Sequence, residues 1–370
     1  MKRTFASWTV LASLLLLGLT NSNARSQKKI WQDDLLATNA YMQQHLWNAN
    51  TGNFIRRADM PGSAGSDSWG ITIVLDAYAY MVQEGYMKPD ELKKYYQSSS
   101  SLYEKTNGTS GARILVRQGN QIYVGGDDDM QWSAALVHCY DVTKDSEYLQ
   151  SAKSAFNALI DLGFWKNGTE SANDAKGWAW NSSDERPNGV STAYGALAAA
   201  RLYRATGENV YRQWVIASLN ALETPQVGFF PRDMMVAANA AITTYEVSHE
   251  PVFRARAIAL AKTATTQVHE IISGKRAGER NPTDVGDLAE GFFHLATAIH
   301  DKSYPTQAFE LIHFFLRDRT PADIIERGFY SRYDSTSHPD MNGSYLGVPL
   351  SVPFLPEVAE MLKLCAAAIE

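Results

Sequence analysis

Four stretches of this chain are variations on one unit. Residues 134–159 read AALVHCYDVTKDSEYLQSAKSAFNAL, and residues 195–222 read GALAAARLYRATGENVYRQWVIASLNAL. Each has a helix rich in small residues, a short polar turn, a Tyr (Tyr148 or Tyr211) and a second helix ending Asn-Ala-Leu. A third copy, AAITTYEVSHEPVFRARAIALAKTA, carries Phe253 in the aromatic slot. A weaker fourth, FHLATAIHDKSYPTQAFELIHFFL, carries Tyr304. Self-similarity at a period of roughly 50–65 residues is the mark of a repeat architecture. A short turn such as Thr206-Gly207-Glu208 forces its two helices antiparallel, so each unit is an αα-hairpin.

The apolar residues recur at i, i+3, i+4 and i+7, the helical period. The first helix of each unit is Ala- and Gly-rich and suits close packing. The second carries Arg, Lys and Gln on one face, as a solvated outer helix does. Helix starts are expected near Lys28, Ser68, Pro89, Asp127, Asp145, Asn188, Glu208, Asp233, Pro251, Asp284, Ser303 and Pro353. Twelve helices in six hairpins make an all-α (α/α)6 barrel; the open alternative is a helical solenoid. The barrel turns a 370-residue length that suggests two or three domains into one, residues 25–370. The clearest strand signal is Gln121-Ile122-Tyr123-Val124. Long connections fall between hairpins, at 50–67, 107–126, 163–187, 274–283 and 327–352. They hold Gly-aromatic pairs such as Gly177-Trp178 and Gly228-Phe229-Phe230 and are expected to gather at one end as a groove.

The N-terminus reads as an address. Lys2 and Arg3 precede an apolar run over 10–19, and Ser22-Asn23-Ala24 is an A-x-A-like cleavage site. That is a secretory signal peptide, residues 1–24, and the run is about half the ~20 residues a membrane-spanning helix needs. A secreted, extracellular protein with no membrane span is expected. Asn107, Asn167, Asn181 and Asn342 head N-x-[ST] sequons, acceptors of glycan if the source is eukaryotic. Cys139 and Cys365 are the only cysteines, either a disulfide or two buried thiols. A net charge of −6 disfavours nucleic acid. The 9 Trp, 18 Tyr and 14 Phe, several beside Gly, Asn and Asp, suit flat hydroxylated ligands.

The strongest local feature is Gly125-Gly126-Asp127-Asp128-Asp129-Met130-Gln131-Trp132, opening a first helix. Acids in a first turn complement the helix dipole, but three exceed what a cap needs. Neighbouring carboxylates repel, so one holds its proton while the helix end keeps another ionised. Glycosidic cleavage uses such a split pair as nucleophile and general acid. The second feature is Lys176-Gly177-Trp178-Ala179-Trp180-Asn181, followed by Pro187-Asn188-Gly189. It offers either Trp faces for sugar rings and Asn amides for hydroxyls, or two core tryptophans flanking a turn.

These residues resemble glycoside hydrolase family 76, the endo-α-1,6-mannanases and their fungal wall-remodelling relatives. The likeness rests on Asp-Asp-Met-x-Trp at a helix start, on a later Gly-x-x-Trp-Asn segment with Asn188 at the next helix start, and on Ala-Ala-Arg-Leu-Tyr-Arg-Ala-Thr-Gly. It is clearest over 125–222. The resemblance implies an (α/α)6 barrel and retaining hydrolysis of α-1,6-mannosidic bonds, with Asp128 as nucleophile and Asp129 as general acid/base. Asp127 is then an extra acid, and the register Asp127 with Asp128 stays open. Trp132, Trp178, Trp180, Asn181 and Asn188 fall where the family lines its groove.

The chain departs from the family where Tyr-Asn-Gln-Gly often opens the next inner helix; here Arg232-Asp233-Met234-Met235 stands. Arg232 and Asp233 are either substrate contacts or an ion pair. Ala289-Glu290-Gly291 replaces a Phe-Lys-Gly, with Glu290 read as structural, and a single Trp132 follows the acids where two aromatics are usual. The function expected is a secreted, monomeric retaining glycosidase acting on α-mannan, without cofactor or metal. A transglycosidase, another glycan-active (α/α)6 enzyme and a non-catalytic glycan-binding barrel are the alternatives. No G-x-S-x-G, H-E-x-x-H, P-loop or calcium loop occurs, and His138 and His294 read as satisfied core residues.

Overall fold

The computed structural model describes Gln43 and residues 47–50, 53–54, 68–100, 103–105, 112–118, 121–167, 176–223, 230–272 and 282–301. Among these are nine α-helices: α1 Ser68–Gln83, α2 Pro89–Ser100, α3 Gly126–Thr143, α4 Ser146–Asp161, α5 Gly189–Thr206, α6 Asn209–Leu222, α7 Pro231–Ser248, α8 Pro251–Ile272 and α9 Pro282–Ile299. Each lies within two residues of an expected start. The expected helices near Lys28, Ser303 and Pro353, the N-terminal address, Asn107, Asn342 and Cys365 lie outside the described residues.

The hairpin turn is one device used three times. α3, α5 and α7 each end in a left-handed residue: Lys144 (φ 59°), Gly207 (φ 71°) and His249 (φ 56°). The backbone N–H of each donates to a tyrosine carbonyl four residues back, on Tyr140, Tyr203 and Tyr245. A hydroxyl one residue before the turn then accepts the N–H of the acid that follows. The pairs are Thr143 with Asp145 (3.2 Å), Thr206 with Glu208 (3.1 Å) and Ser248 with Glu250 (3.3 Å). These bonds occupy groups that a helix end leaves unpaired, and the chain reverses within two residues. The aromatic slot three residues after each acid is core: Tyr148, Tyr211 and Phe253 are at most 2% exposed.

α1, α3, α5, α7 and α9 pack side by side in chain order, and α2, α4, α6 and α8 lie outside them. The sequence explains the layering. α5 is buried on nearly all sides through Ala193, Gly195, Ala196, Ala198, Ala199 and Ala200. α4 buries only the stripe Tyr148, Ala152, Ala155, Phe156 and Leu159, one helical face. β3 (Tyr103–Lys105), β4 (Ala112–Gln118) and β5 (Gln121–Val124) form an antiparallel sheet that delivers the chain to the start of α3. β5 is the strand that Gln121–Val124 signalled. Two-residue ladders join β1 (Trp47–Asn48) to β2 (Asn53–Phe54) and β6 (Trp165–Lys166) to β7 (Gly177–Trp178).

A belt of charge crosses the inner helices. Arg201 of α5 reaches Asp76 of α1 (3.5 Å) on one side and Glu290 of α9 (2.8 Å) on the other. It also donates to the carbonyl of Ala134 (3.3 Å). Asp76 takes His138 Nδ1 at 2.9 Å. Burial would raise the Asp76 carboxyl, but His138 and Arg201 outweigh it and hold it at about 2. Asn239 donates to Glu290 (2.9 Å), and its carbonyl oxygen meets His294 Nδ1 (2.6 Å). His294 Nε2 lies 3.1 Å from both oxygens of Glu246. His138, His294 and Glu290 are therefore partnered structural groups, as their positions in the sequence imply. Cys139 is a free, buried thiol against the carbonyl of Leu75.

Candidate active site

The site is built on the first turn of α3. Gly126, Asp127, Asp128 and Asp129 follow the N-cap Gly125, so three carboxylates crowd the end where backbone N–H groups point outward. A strap over 177–181 fixes this end. The Gly126 N–H donates to the Trp180 carbonyl at 2.6 Å, Gly125 bridges Asn181, and the Ala179 N–H donates to Phe164 (2.9 Å). A Cβ on Gly126 would lie 2.3 Å from the Ala179 carbonyl oxygen and 2.9 Å from the Phe164 ring. Glycine is what lets strap and helix meet.

The three acids differ in exposure. Asp127 is half-buried, Asp128 is 9% exposed and Asp129 only 1%. The backbone N–H groups of Asp127 and Asp128 hydrogen-bond the Asp127 carboxyl and favour its ionised form, with smaller contributions from the Trp180 side chain and the Arg232 charge. Burial dominates, however, and pushes Asp127 from 3.8 up to about 6. A carboxyl that keeps its proton to pH 6 beside further carboxylates is the split pair that acid-assisted bond cleavage needs. Asp129, expected as the acid/base, is the most enclosed of the three.

The aromatic residues divide sharply. Trp180 is 44% exposed, with its N–H on Asp127 and its ring available to a ligand. Trp178, expected beside it as a sugar platform, is 1% exposed. Its indole donates to Ser218 Oγ (3.0 Å), and its ring packs against Phe156, Trp165 and Trp214. A Cβ on Gly195 would meet that ring at 2.6 Å, so α5 carries a slot for it. Two residues apart, Trp178 and Trp180 would share one face of a continuous strand; the strand ends at Trp178, and the bend at Trp180 turns the second ring outward. Trp132 is also core, 1% exposed and stacked on Tyr96 at 6.1 Å.

The amides are structural. Asn181 is 7% exposed, and its Oδ1 accepts from Ser183 N (2.8 Å) and Oγ (2.6 Å), closing a turn. Asn188 is the N-cap of α5, accepting from Val190 N (2.8 Å) and Ser191 N (3.3 Å). The Oδ1 of each amide is thus engaged within the chain. Asp233 is 1% exposed, accepting from Phe230 N (3.3 Å) and Arg232 Nε (3.2 Å). Arg232 and Asp233 thus form an ion pair, and the Arg232 charge also favours the ionised form of Asp127. Phe230, just before α7 and 53% exposed, is an open aromatic that the sequence marked only as part of a Gly-aromatic run. Among the described residues no cluster of three or more His, Cys, Asp or Glu could hold a metal ion.

No family sequence model and no curated protein sequence matches this chain. Solved structures do. A family 76 α-mannanase from Bacteroides thetaiotaomicron superposes with a TM-score of 0.66 at 15% identity, over 91% of this chain and 95% of that one. The α-1,6-mannanase from Salegentibacter sp. HEL1_6 gives 0.60 at 16% identity, over 92% and 100%. An inactive variant of that enzyme, with two consecutive aspartates exchanged for asparagine, has been solved with α-1,6-mannotriose. A D-mannose isomerase gives 0.59 at 14% identity, over 91% and 97%. The chain therefore has the helical-barrel fold that family 76 glycoside hydrolases share with other sugar-acting proteins.

Proposed function

We propose that this chain is a secreted glycoside hydrolase that cleaves α-1,6-mannosidic bonds with retention of configuration. The observation that carries the reading is the start of α3, where a half-buried Asp127, hydrogen-bonded by the exposed Trp180, is followed by the more deeply buried Asp128. The inactivated Salegentibacter mannanase, altered at two consecutive aspartates, supports the same use of such a pair. The chain sequence puts the reacting pair at Asp128 and Asp129 or at Asp127 and Asp128. Exposure favours the second, with Asp129 as a buried support.

The chemistry follows from two carboxyls in different protonation states. The ionised member attacks the anomeric carbon while the protonated member gives its proton to the departing glycosidic oxygen. Water then hydrolyses the glycosyl-enzyme ester, deprotonated by the carboxylate that has just lost its proton. Trp180 offers an apolar face for a sugar ring, and the same residue's N–H steadies Asp127. Turnover should fall above pH 6 as the proton leaves the pair.

The test is product analysis on linear α-1,6-mannan. Release of short manno-oligosaccharides by the wild type, lost in both Asp127→Asn and Asp128→Asn with the fold intact, is the expected result. Full activity in either variant, or no action on any mannan, would overturn it.

A further inference from the structure

Resting on that reading, we infer that Gln131 is a substrate-binding residue, its carboxamide holding hydroxyls of the sugar whose anomeric carbon meets the acids. Contacts on the far side of α3 fix where it points. The Trp132 ring stacks on Tyr96 of α2, 6.1 Å between centroids, and Ser133 Oγ donates to the Ala152 carbonyl of α4 at 2.9 Å. Both partners belong to the outer layer. At about 100° per residue, Asp127, Gln131 and His138 then lie within roughly 30° of the opposite direction, towards the inside of the ring of inner helices. His138 bears this out. Its Nδ1 meets the Asp76 oxygen of α1 that Arg201 of α5 also reaches.

Exposure agrees with that direction. From Gly126 to Val137, only Asp127 and Gln131 are not buried. A helix enclosed on its other sides therefore opens along one stripe, and the stripe starts at the candidate acid. Gln131 stands one turn further in, about 6 Å along the axis, with its Cβ about 5–6 Å from that of Asp127. His138 lies roughly 10 Å beyond, where Asp76 pairs with His138 (2.9 Å) and with Arg201 (3.5 Å). Between the acids and those paired charges, the Gln131 amide bonds none of the described residues. Its chemistry suits a neutral, hydroxylated ligand. A carboxamide donates and accepts, as a hydroxyl does, and it adds no charge beside Asp127, Asp128 and Asp129. A sugar with its glycosidic bond at Asp127 and Asp128 has ring hydroxyls within reach of a group one turn inward.

The test pairs Gln131→Ala with manno-oligosaccharides that lack one hydroxyl at a time on the sugar whose bond is cleaved. Gln131→Ala should lower kcat/KM on linear α-1,6-mannan about tenfold, the loss of one hydrogen bond to a hydroxyl. Its melting temperature should stay within about 2 °C of wild type, because the side chain holds no other part of the fold. The ratio of kcat/KM for the parent to that for the deoxy analogue should differ about tenfold between wild type and variant at one ring position and stay the same at the others. A Gln131 that only supports the helix would slow all these substrates alike. Gln131→Met, of similar length, takes the place of Ala if melting shows that the Ala variant is unfolded. A kcat/KM within about twofold of wild type overturns the inference, and so does an equal loss on the parent and every analogue. If the wild type cleaves no mannan, the functional reading fails and the inference falls with it. If mannan is cleaved and the ratios do not change, only the inference fails.

Discussion

Gly126→Ala tests the local architecture most directly. The added methyl would sit 2.3 Å from the Ala179 carbonyl oxygen and 2.9–3.0 Å from the Phe164 ring. The first contact is backbone, so no rotamer change relieves it. Strap and helix must separate by about 1 Å, which breaks the 2.6 Å bond from Gly126 N–H to the Trp180 carbonyl. Overpacking at a tight site costs about 1–3 kcal/mol, and a broken buried hydrogen bond about 1 kcal/mol more. The small gain in helix propensity from Ala, at most about 1 kcal/mol, offsets part of this. A net loss of about 2–3 kcal/mol lowers the melting temperature by roughly 5 °C or more in a protein this size. Because the strap carries Trp180, the same change should reduce mannan turnover at least tenfold. Differential scanning fluorimetry and a hydrolysis assay on linear α-1,6-mannan measure the two effects. A melting temperature within 1 °C of wild type, with turnover unchanged, would mean that strap and helix are not in contact.

Three further outcomes follow from the same geometry. Trp178→Phe should cost about 1–3 kcal/mol by stranding Ser218 in the core, while Trp180→Ala should cost at most about 1 kcal/mol yet weaken oligosaccharide binding about tenfold; melting and calorimetric titration on the two variants check the division. Asp127 is raised when folded, from 3.8 to about 6, so it costs stability progressively as pH rises from about 4 through 6, and the full cost remains above that. Asp127→Asn should therefore abolish turnover while raising stability at pH 7 by about 2 kcal/mol, and a variant less stable than wild type at that pH would contradict the sign. Asp76 is the opposite case. Its folded carboxyl is held at about 2, so it contributes about 2 kcal/mol above pH 4 that is lost as pH falls to 2. Asp76→Asn should flatten acid unfolding over that window; an unchanged acid limb would refute the role given to His138 and Arg201.

The hairpins were legible because their determinants are local. The period of apolar residues, the turn pairs Lys144-Asp145, Gly207-Glu208 and His249-Glu250, and the aromatic slot at Tyr148, Tyr211 and Phe253 all lie within a few residues of what they control. The place of the site was legible for the same reason. Three acids after Gly125-Gly126 mark a helix start whatever surrounds them, and inner-helix starts gather at one end.

Which side chains face a ligand is decided by neighbours distant in sequence. Trp178 and Trp180 look equivalent in the chain. Ser218, Gly195 and Trp214 make a slot for the first, and only the second is left at the surface. Asn181 and Asn188 look like sugar-binding amides until Ser183 and the first turn of α5 claim their oxygens. Asp127, Asp128 and Asp129 are identical in kind. Their step of about 100° per residue around α3 turns each to a different environment, and only packing sets how much water each keeps. The sequence by itself determined the helical repeat and the acidic end of α3. Tertiary structure decided how deeply each carboxyl is enclosed and which tryptophan stays exposed, because burial is a property of the whole barrel and not of any segment.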